Sequence, residues 1–198
     1  MDNLTLEQKK AQFDEFFMIA HPIKININLL TDDFVLPELE KFDDVMPFAF
    51  RVASEMSTVH SQSLRPLRGL SEHASDLVDY LNLQSRKIDL MMSYILQQQD
   101  EPEARFETVK FGGGGLVVHH DAEIPIGTKA ELKLFLTEEA AAIFCYGEVI
   151  TCQPAEDEYH IAFIFNRIRE EDQELLVRAS LHLQTQQLRK RSQKRREL

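Results

Sequence analysis

Apolar positions along this chain follow three metres in succession. In residues 1–60 short pieces of helix and strand pattern lie between Pro22, Pro37 and Pro47, which interrupt regular structure. Leu6 to Ile19 spaces Phe13, Phe16, Phe17 and Met18 as a helix does. Ile23 to Leu30 sets Ile23, Ile25, Ile27 and Leu29 against Lys24, Asn26 and Asn28, the period of two of a half-buried strand. Leu39 to His60 reads as helix again, with Pro47 as the place of an interruption. Residues 1–60 are therefore expected to form an N-terminal arm or a small subdomain.

The second metre is heptad. Leu67, Leu70, Ala74, Leu77, Leu81, Gln84, Ile88, Met91 and Ile95 succeed one another at alternating gaps of three and four. A 3.5-residue repeat held this long favours a left-handed supercoil with partner helices. At about 1.5 Å per residue the helix is roughly 44 Å long, more than one small domain can cover. Val78 and Met92 at e, with Tyr80 and Tyr94 at g, widen the apolar face, which favours a tetramer over a dimer, and Gln84 at d is suited to fixing register. A long amphipathic helix packed on its own chain gives the same pattern. The coiled-coil segment is taken as 61–99, with Pro66, Gly69 and a cap at Ser63 or Ser71 near its start.

After the polar stretch Gln97 to Pro102 the period becomes two. Arg105–Lys110, Leu116–His119, Lys129–Leu136, Ile143–Cys152 and Tyr159–Phe165 are strand candidates, separated by Gly112 to Gly115, Ile124 to Thr128 and Gln153 to Glu158. A last helix runs from about Glu170, acidic in its first turn and basic at its end, with Leu175, Leu176, Ala179, Leu183 and Leu188 on its apolar stripe. The fold class expected is α+β: a small antiparallel β-barrel with a C-terminal helix over 103–198, preceded by the heptad helix and the mixed arm.

Charge narrows the function classes. The 198 residues carry 22 Lys and Arg against 33 Asp and Glu, a net charge of −11. Six basic residues lie between Arg189 and Arg196, so residues 1–188 hold 16 basic against 32 acidic side chains, a net charge of −16. Such a body is a poor partner for nucleic acid or an anionic membrane. With no run of about 18 apolar residues and no basic-then-apolar leader, a cytoplasmic protein without membrane insertion is expected. Cys145 and Cys152 read as small core hydrophobes. The four glycines lack the Gly-Lys-Ser/Thr of a phosphate loop, and read as a barrel turn that needs positive φ angles. His119 and His120 point to opposite faces of a strand, so they do not form one metal cluster together with His160. No nucleophile and base stand together, and no enzyme activity or metal site is expected.

Val109-Lys110-Phe111-Gly112-Gly113-Gly114-Gly115-Leu116-Val117-Val118, then Ile124 to Thr128 before an alternating strand, then Tyr159 to Phe165 and a helix ending in Arg and Lys, resembles a PilZ domain from about Phe106 to Arg191. That family of small bacterial barrels is best known for receptors of cyclic di-GMP, and the heptad helix ahead of the barrel is similar to its atypical, tetrameric members. The resemblance implies two ligand motifs. An R-x-x-x-R pair grips phosphate and stacks on guanine, and a D/N-x-S-x-x-G turn reads the guanine edge. Here the second falls on Lys110 to Gly115, with Lys110 for Asp or Asn, Gly112 for Ser, and Gly115 retained. The first has no match: Arg105 stands alone, and Arg65 and Arg68 have the wrong spacing.

The resemblance thus implies a non-enzymatic signalling adaptor in cyclic di-GMP-linked control of motility or surface attachment, oligomerised by its coiled coil and acting on an unidentified protein partner. The alternatives are a direct cyclic di-GMP receptor with a variant site built from Arg105, Lys110, Gly112, Gly115, Arg189 and Arg191, and a structural assembly protein. No resident cofactor is expected; cyclic di-GMP is the candidate ligand.

Overall fold

The computed structural model describes residues 4–63, 75–156 and 158–196. Its elements, in chain order, are α1 (Leu6–Glu15), β1 (Met18–Ile19), β2 (Lys24–Leu29), α2 (Phe42–Val45), α3 (Phe48–Ser63), α4 (Ser75–Gln97), β3 (Arg105–Gly112), β4 (Gly115–His120), β5 (Lys129–Leu136), β6 (Ala141–Ala155), β7 (Glu158–Arg167) and α5 (Glu170–Arg196). The five strands expected after residue 102 all form, and β5 has the bounds its alternation sets. Pro47 does interrupt the Leu39–His60 helix: a 3-10 turn at Leu39–Lys41 and α2 precede it, and α3 follows.

Six strands close on themselves in the order β2, β3, β4, β7, β6, β5 and back to β2, all antiparallel, so the barrel leaves no open edge. One stave is unexpected in origin. The strand of the N-terminal segment, β2, lies between β3 and β5, with Ile25 opposite Phe106 on one side and Leu134 on the other. An alternating strand of this kind has one apolar face to bury, and the gap between β3 and β5 is where it does so. β1 then pairs with the far end of β3, Met18 opposite Gly112.

The barrel buries both of its faces. Ile25, Leu132, Leu134, Ile143, Cys145, Ile161, Phe163 and Phe165 fill the inside, joined by Leu175, Leu176, Ala179 and Leu183 of α5. The outer face of β5 and β6, carrying Phe135, Ala142, Phe144 and Tyr146, packs with Phe42, Phe50 and Ala53 of α2 and α3 and with Met92 and Leu96 of α4. Phe42, Phe50, Phe135, Phe144 and Tyr146 form one aromatic patch with ring centroids 5.5–6.1 Å apart. A third cluster lies outside β4, β6 and β7, where Phe13 of α1 covers Val117, Ile150, Ala162 and Ile164.

Three expectations need correction. Asn26 is fully buried, because it turns to the end of α4 and bonds there, and Leu29 is half exposed. Leu188 is exposed, because α5 runs past the barrel beyond its last buried residue, Leu183. Gly112 to Gly115 do not adopt positive φ; Gly127 is the glycine that does, at +91°.

Candidate functional site

The glycine run is built for close approach rather than for a left-handed turn. Gly112 and Gly115 pair across the β3–β4 hairpin and Gly113 and Gly114 form its tip. A Cβ on Gly112 would lie 2.2 Å from the carbonyl oxygen of Phe17, and one on Gly115 would lie 2.1 Å from that of Phe163 and 2.6 Å from the Phe13 ring. At the tip, a Cβ on Gly114 would meet the Phe16 ring at 2.5 Å, and one on Gly113 would meet Val177 at 2.6 Å and the Phe16 ring at 3.0 Å. The hairpin is thus roofed by Phe16 from the end of α1 and by Val177 from α5. Gln173 Nε2 donates to Gly113 O at 2.9 Å, and Phe165 N donates to Gly114 O at 3.1 Å. The positions at which the family's guanine-reading turn would stand are filled by the chain's own aromatic side chains.

The roof is held in place by α1. Thr5 begins the helix with a reciprocal cap, its Oγ1 accepting from Gln8 N at 3.3 Å while Gln8 Oε1 accepts from Thr5 N at 2.9 Å. Lys9 Nζ then donates to both carboxylate oxygens of Glu148 on β6, at 2.6 and 2.7 Å, and Asn166 Nδ2 donates to the same carboxylate at 2.8 Å. A paired, hydrogen-bonded charge of this sort tolerates its partial burial, whereas either member alone would not.

The remaining candidate ligand residues do not converge. Lys110 is exposed and lines a cleft of about 260 Å³ with Lys10, Phe13, Asp14, Gln153 and His160. Arg105 stands five residues away on the same strand, roughly 17 Å along it. Its guanidinium is already engaged, with Nη2 2.7 Å from Asp100 Oδ2 and Nε donating to Oδ1 at 3.2 Å. Arg189 and Arg191 are exposed on the part of α5 that extends beyond Leu183.

Asp100 belongs to a clasp where α4 passes into β3. Asn26 Nδ2 donates to Asp100 Oδ1 and to Glu101 O, both at 3.0 Å, and Asn26 Oδ1 accepts from Glu101 N at 3.0 Å. Asn28 Nδ2 donates to Glu101 Oε2 at 3.0 Å, and Lys133 Nζ donates to Glu101 Oε1. Burial pushes the Asp100 carboxyl upward, but the bonds from Arg105 and Asn26, with the charges of Arg105 and Lys24, outweigh it and hold the group below the usual range. The Lys133 and Asn28 bonds hold Glu101 low as well. This clasp fixes the direction in which α4 leaves the barrel.

Along α4 itself, Leu67, Leu70 and Ala74 of the heptad series lie outside the described residues. Leu77, Leu81, Ile88, Met91 and Ile95 are all between 38% and 67% exposed, and Gln84 is partly covered. The helix meets the barrel with Met92 and Leu96, at heptad positions e and b, and so turns its a and d seam outward. Tyr80 and Tyr94 at g and Leu83 and Leu90 at c are exposed too. At 100° per residue these four positions span about 160° of mainly apolar surface, interrupted by Gln84 at d and Lys87 at g.

His119 meets His160 across β4 and β7 with ring centroids 4.6 Å apart, and its Nδ1 lies 3.2 Å from Glu158 Oε2. His120 points to the other face and stacks on Phe106 at 4.9 Å. Among the described residues, no group of three or more His, Cys, Asp or Glu is arranged to hold a metal ion. No helix of the described residues is long and apolar enough to cross a membrane. The roof over the glycines and the clasp were not found from the sequence. The nearest signal was the unexplained Phe13, Phe16 and Phe17, since aromatic rings on and just after a mainly polar helix need a surface to cover.

Comparison with known proteins agrees with this architecture. The model of the PilZ domain family matches residues 83–182. That span takes in five barrel staves, β3 to β7, and the buried half of α5, while the sixth stave, β2, comes from before it. No curated protein matches. A solved structure of a tetrameric PilZ domain protein from Xanthomonas campestris, self-assembled through a helical bundle, superposes with a TM-score of 0.54 at 15% identity, covering 90% of this chain and 96% of that one. The inhibitor of motility from Bacillus subtilis overlaps over 41% of this chain and 42% of its own, at 20% identity and a TM-score of 0.38. A family match over half the chain, laid on a closed six-stranded barrel with its helix beneath and a long helix before it, makes this chain a member of the PilZ domain family.

Proposed function

We propose that this protein is a non-enzymatic, cytoplasmic signalling adaptor in cyclic di-GMP-linked regulation of motility or surface attachment, and that it works by protein contacts. The observation that carries this reading is the roof over Gly112 to Gly115. A nucleotide placed at that turn would have to displace Phe16, and it would then find no carboxylate, amide or hydroxyl side chain at Lys110 or Gly112 to accept its guanine bonds. A site lacking such partners loses affinity steeply.

Self-assembly is the second part of the proposal. The α4 face of about 160° is wider than the seam of a two-stranded coil and suits a helix with two neighbours, so a four-helix bundle and a tetramer fit it better than a dimer. The bundle-assembled tetramer of the Xanthomonas protein supports the same arrangement. The second reading, a direct receptor with a variant site, has one observation in its favour: Lys110 is exposed beside the cleft that Lys10 and His160 also line. A structural assembly protein remains the third.

Titration of labelled cyclic di-GMP into the full chain, together with a mass measurement at micromolar concentration, tests the proposal. The expected result is a tetrameric mass with no saturation at micromolar nucleotide. Saturable binding that is lost on Lys110→Ala would replace the adaptor reading by the receptor reading, and a monomeric mass would remove the bundle.

A further inference from the structure

We infer that α1 is a displaceable resident of a helix-binding groove, and that the groove's other occupant is an amphipathic helix of the partner protein carrying a basic residue, a Phe four positions later and a second aromatic three beyond. This rests on the adaptor reading above and names the chemistry of its partner.

The groove has a matched floor. Its centre is Val117, Ile150, Ala162 and Ile164 on the outside of β4, β6 and β7, and its end is the glycine hairpin, whose missing side chains let the Phe16 ring approach closely. One charged group, Glu148, waits on β6 with Asn166 bonded to it. The occupant reads this floor through Lys9 on Glu148, Phe13 on the apolar centre and Phe16 on Gly113 and Gly114, at spacings of four and three that put all three on one helix face.

The same helix is held by little else. Phe13 is its one buried residue, and its other apolar side chains, Leu6 and Ala11, are exposed. It also underfills its place: a cavity of about 320 Å³ opens at Lys9 and Glu148, lined by Asp32, Asp33 and Lys129, and the cleft of about 260 Å³ at Lys110 opens beside Phe13. A helix in a groove is recognised by such i, i+4, i+7 anchors, and most of the energy sits in a few of them. Asp32 and Asp33 beside Glu148 favour an occupant with further positive charge at its first turn, which α1 supplies with Lys9 alone on that side.

A resident segment lowers the apparent affinity for any competitor by the fraction of molecules in which the groove is open. The test uses a fluorescent peptide of residues 4–17 added to the full-length protein. Phe13→Ala in the protein, which weakens the resident and leaves the groove intact, is expected to bind the peptide at least about tenfold tighter than the wild-type protein does. Adding Glu148→Gln to that variant should cost at least about tenfold again. Lys9→Ala in the protein serves as a milder variant of the same kind, and unchanged amide protection in β5 and β6 shows that the barrel is intact in each. Equal affinity for wild type and both variants, or binding to none of them, would overturn the inference whatever the nucleotide titration gives. A peptide-free variant whose mass doubles would assign the groove to α1 of a second copy and overturn the partner-helix reading.

Discussion

Asn26 and Asp100 meet 74 positions apart at a 3.0 Å hydrogen bond, with Asn26 wholly shielded from solvent where the long helix gives way to the barrel. The amide also satisfies the backbone of Glu101 in both directions, accepting from its N–H and donating to its carbonyl. One side chain on an N-terminal strand therefore sets the exit angle of a helix whose apolar seam faces away from the barrel.

Asn26→Ala removes all three bonds and strands the Glu101 backbone in a part-buried place, so a loss of about 1–3 kcal/mol is expected in urea unfolding. Asn28→Ala removes a single side-chain bond to Glu101 and is expected to cost about 1 kcal/mol or less. A reversed order of the two would contradict the clasp.

The glycines rank by what their missing Cβ would strike. Gly115→Ala meets the Phe163 backbone and is expected to destabilise by several kcal/mol, while Gly114→Ala meets only the Phe16 ring, which can swing aside, and should cost less. Gly127→Ala has open space around it but keeps a φ of +91°, so a penalty of about 1 kcal/mol of backbone strain is expected. Thermal melts of the three variants give the order directly.

Acid stability follows from groups that shift in opposite directions. Asp100 and Glu101 lie below their ordinary values in the folded chain, so their contribution is present above the unfolded carboxylate range, about pH 4, and is lost as pH falls through the folded values. Asp172 behaves in reverse. Burial raises it, against the bonds and charge of Arg169 at 2.8 Å and a bond from Ser54, so its ionisation subtracts stability as pH climbs from about 4 through the raised value. Unfolding midpoints between pH 2 and 7 should show a shallower acid decline in Asp100→Asn than in wild type. Over the upper part of that range, Asp172→Asn should gain on wild type as pH rises; a gain that shrinks with rising pH would contradict a raised Asp172 carboxyl.

Two faces of α4 have separate consequences. Ile88→Asp on the outward seam is expected to lower the mass in light scattering and leave the melting behaviour of the barrel intact. Met92→Ala, on the face that joins the core cluster of Phe50 and Phe144, is expected to cost about 2–5 kcal/mol and leave the seam able to assemble. If Met92→Ala alone dissociated the protein, the assignment of the two faces would be wrong.

Periodicity is a property of neighbouring residues, and what it dictates was readable before any fold was known: the five strands after residue 102, the alternation at Ile23 to Leu29, the break at Pro47, and the heptad order of α4. The continuous apolar stretch Ala141 to Tyr146 carried a further sign, since a strand with no polar side is covered on both. It did not say by what. That β2 completes the barrel, that Phe13 and Phe16 lie on the glycine hairpin, and that Asn26 reaches Asp100 depend on pairings between residues far apart along the chain. Such pairings are chosen by shape and by the satisfaction of buried polar groups, with many small terms summed over the whole molecule. A single glycine or arginine in sequence carries no record of which partner will reach it. The composition of the nucleotide motif was therefore legible, while its occupation by the chain's own rings was decided only when α1 folded back across β4, β6 and β7.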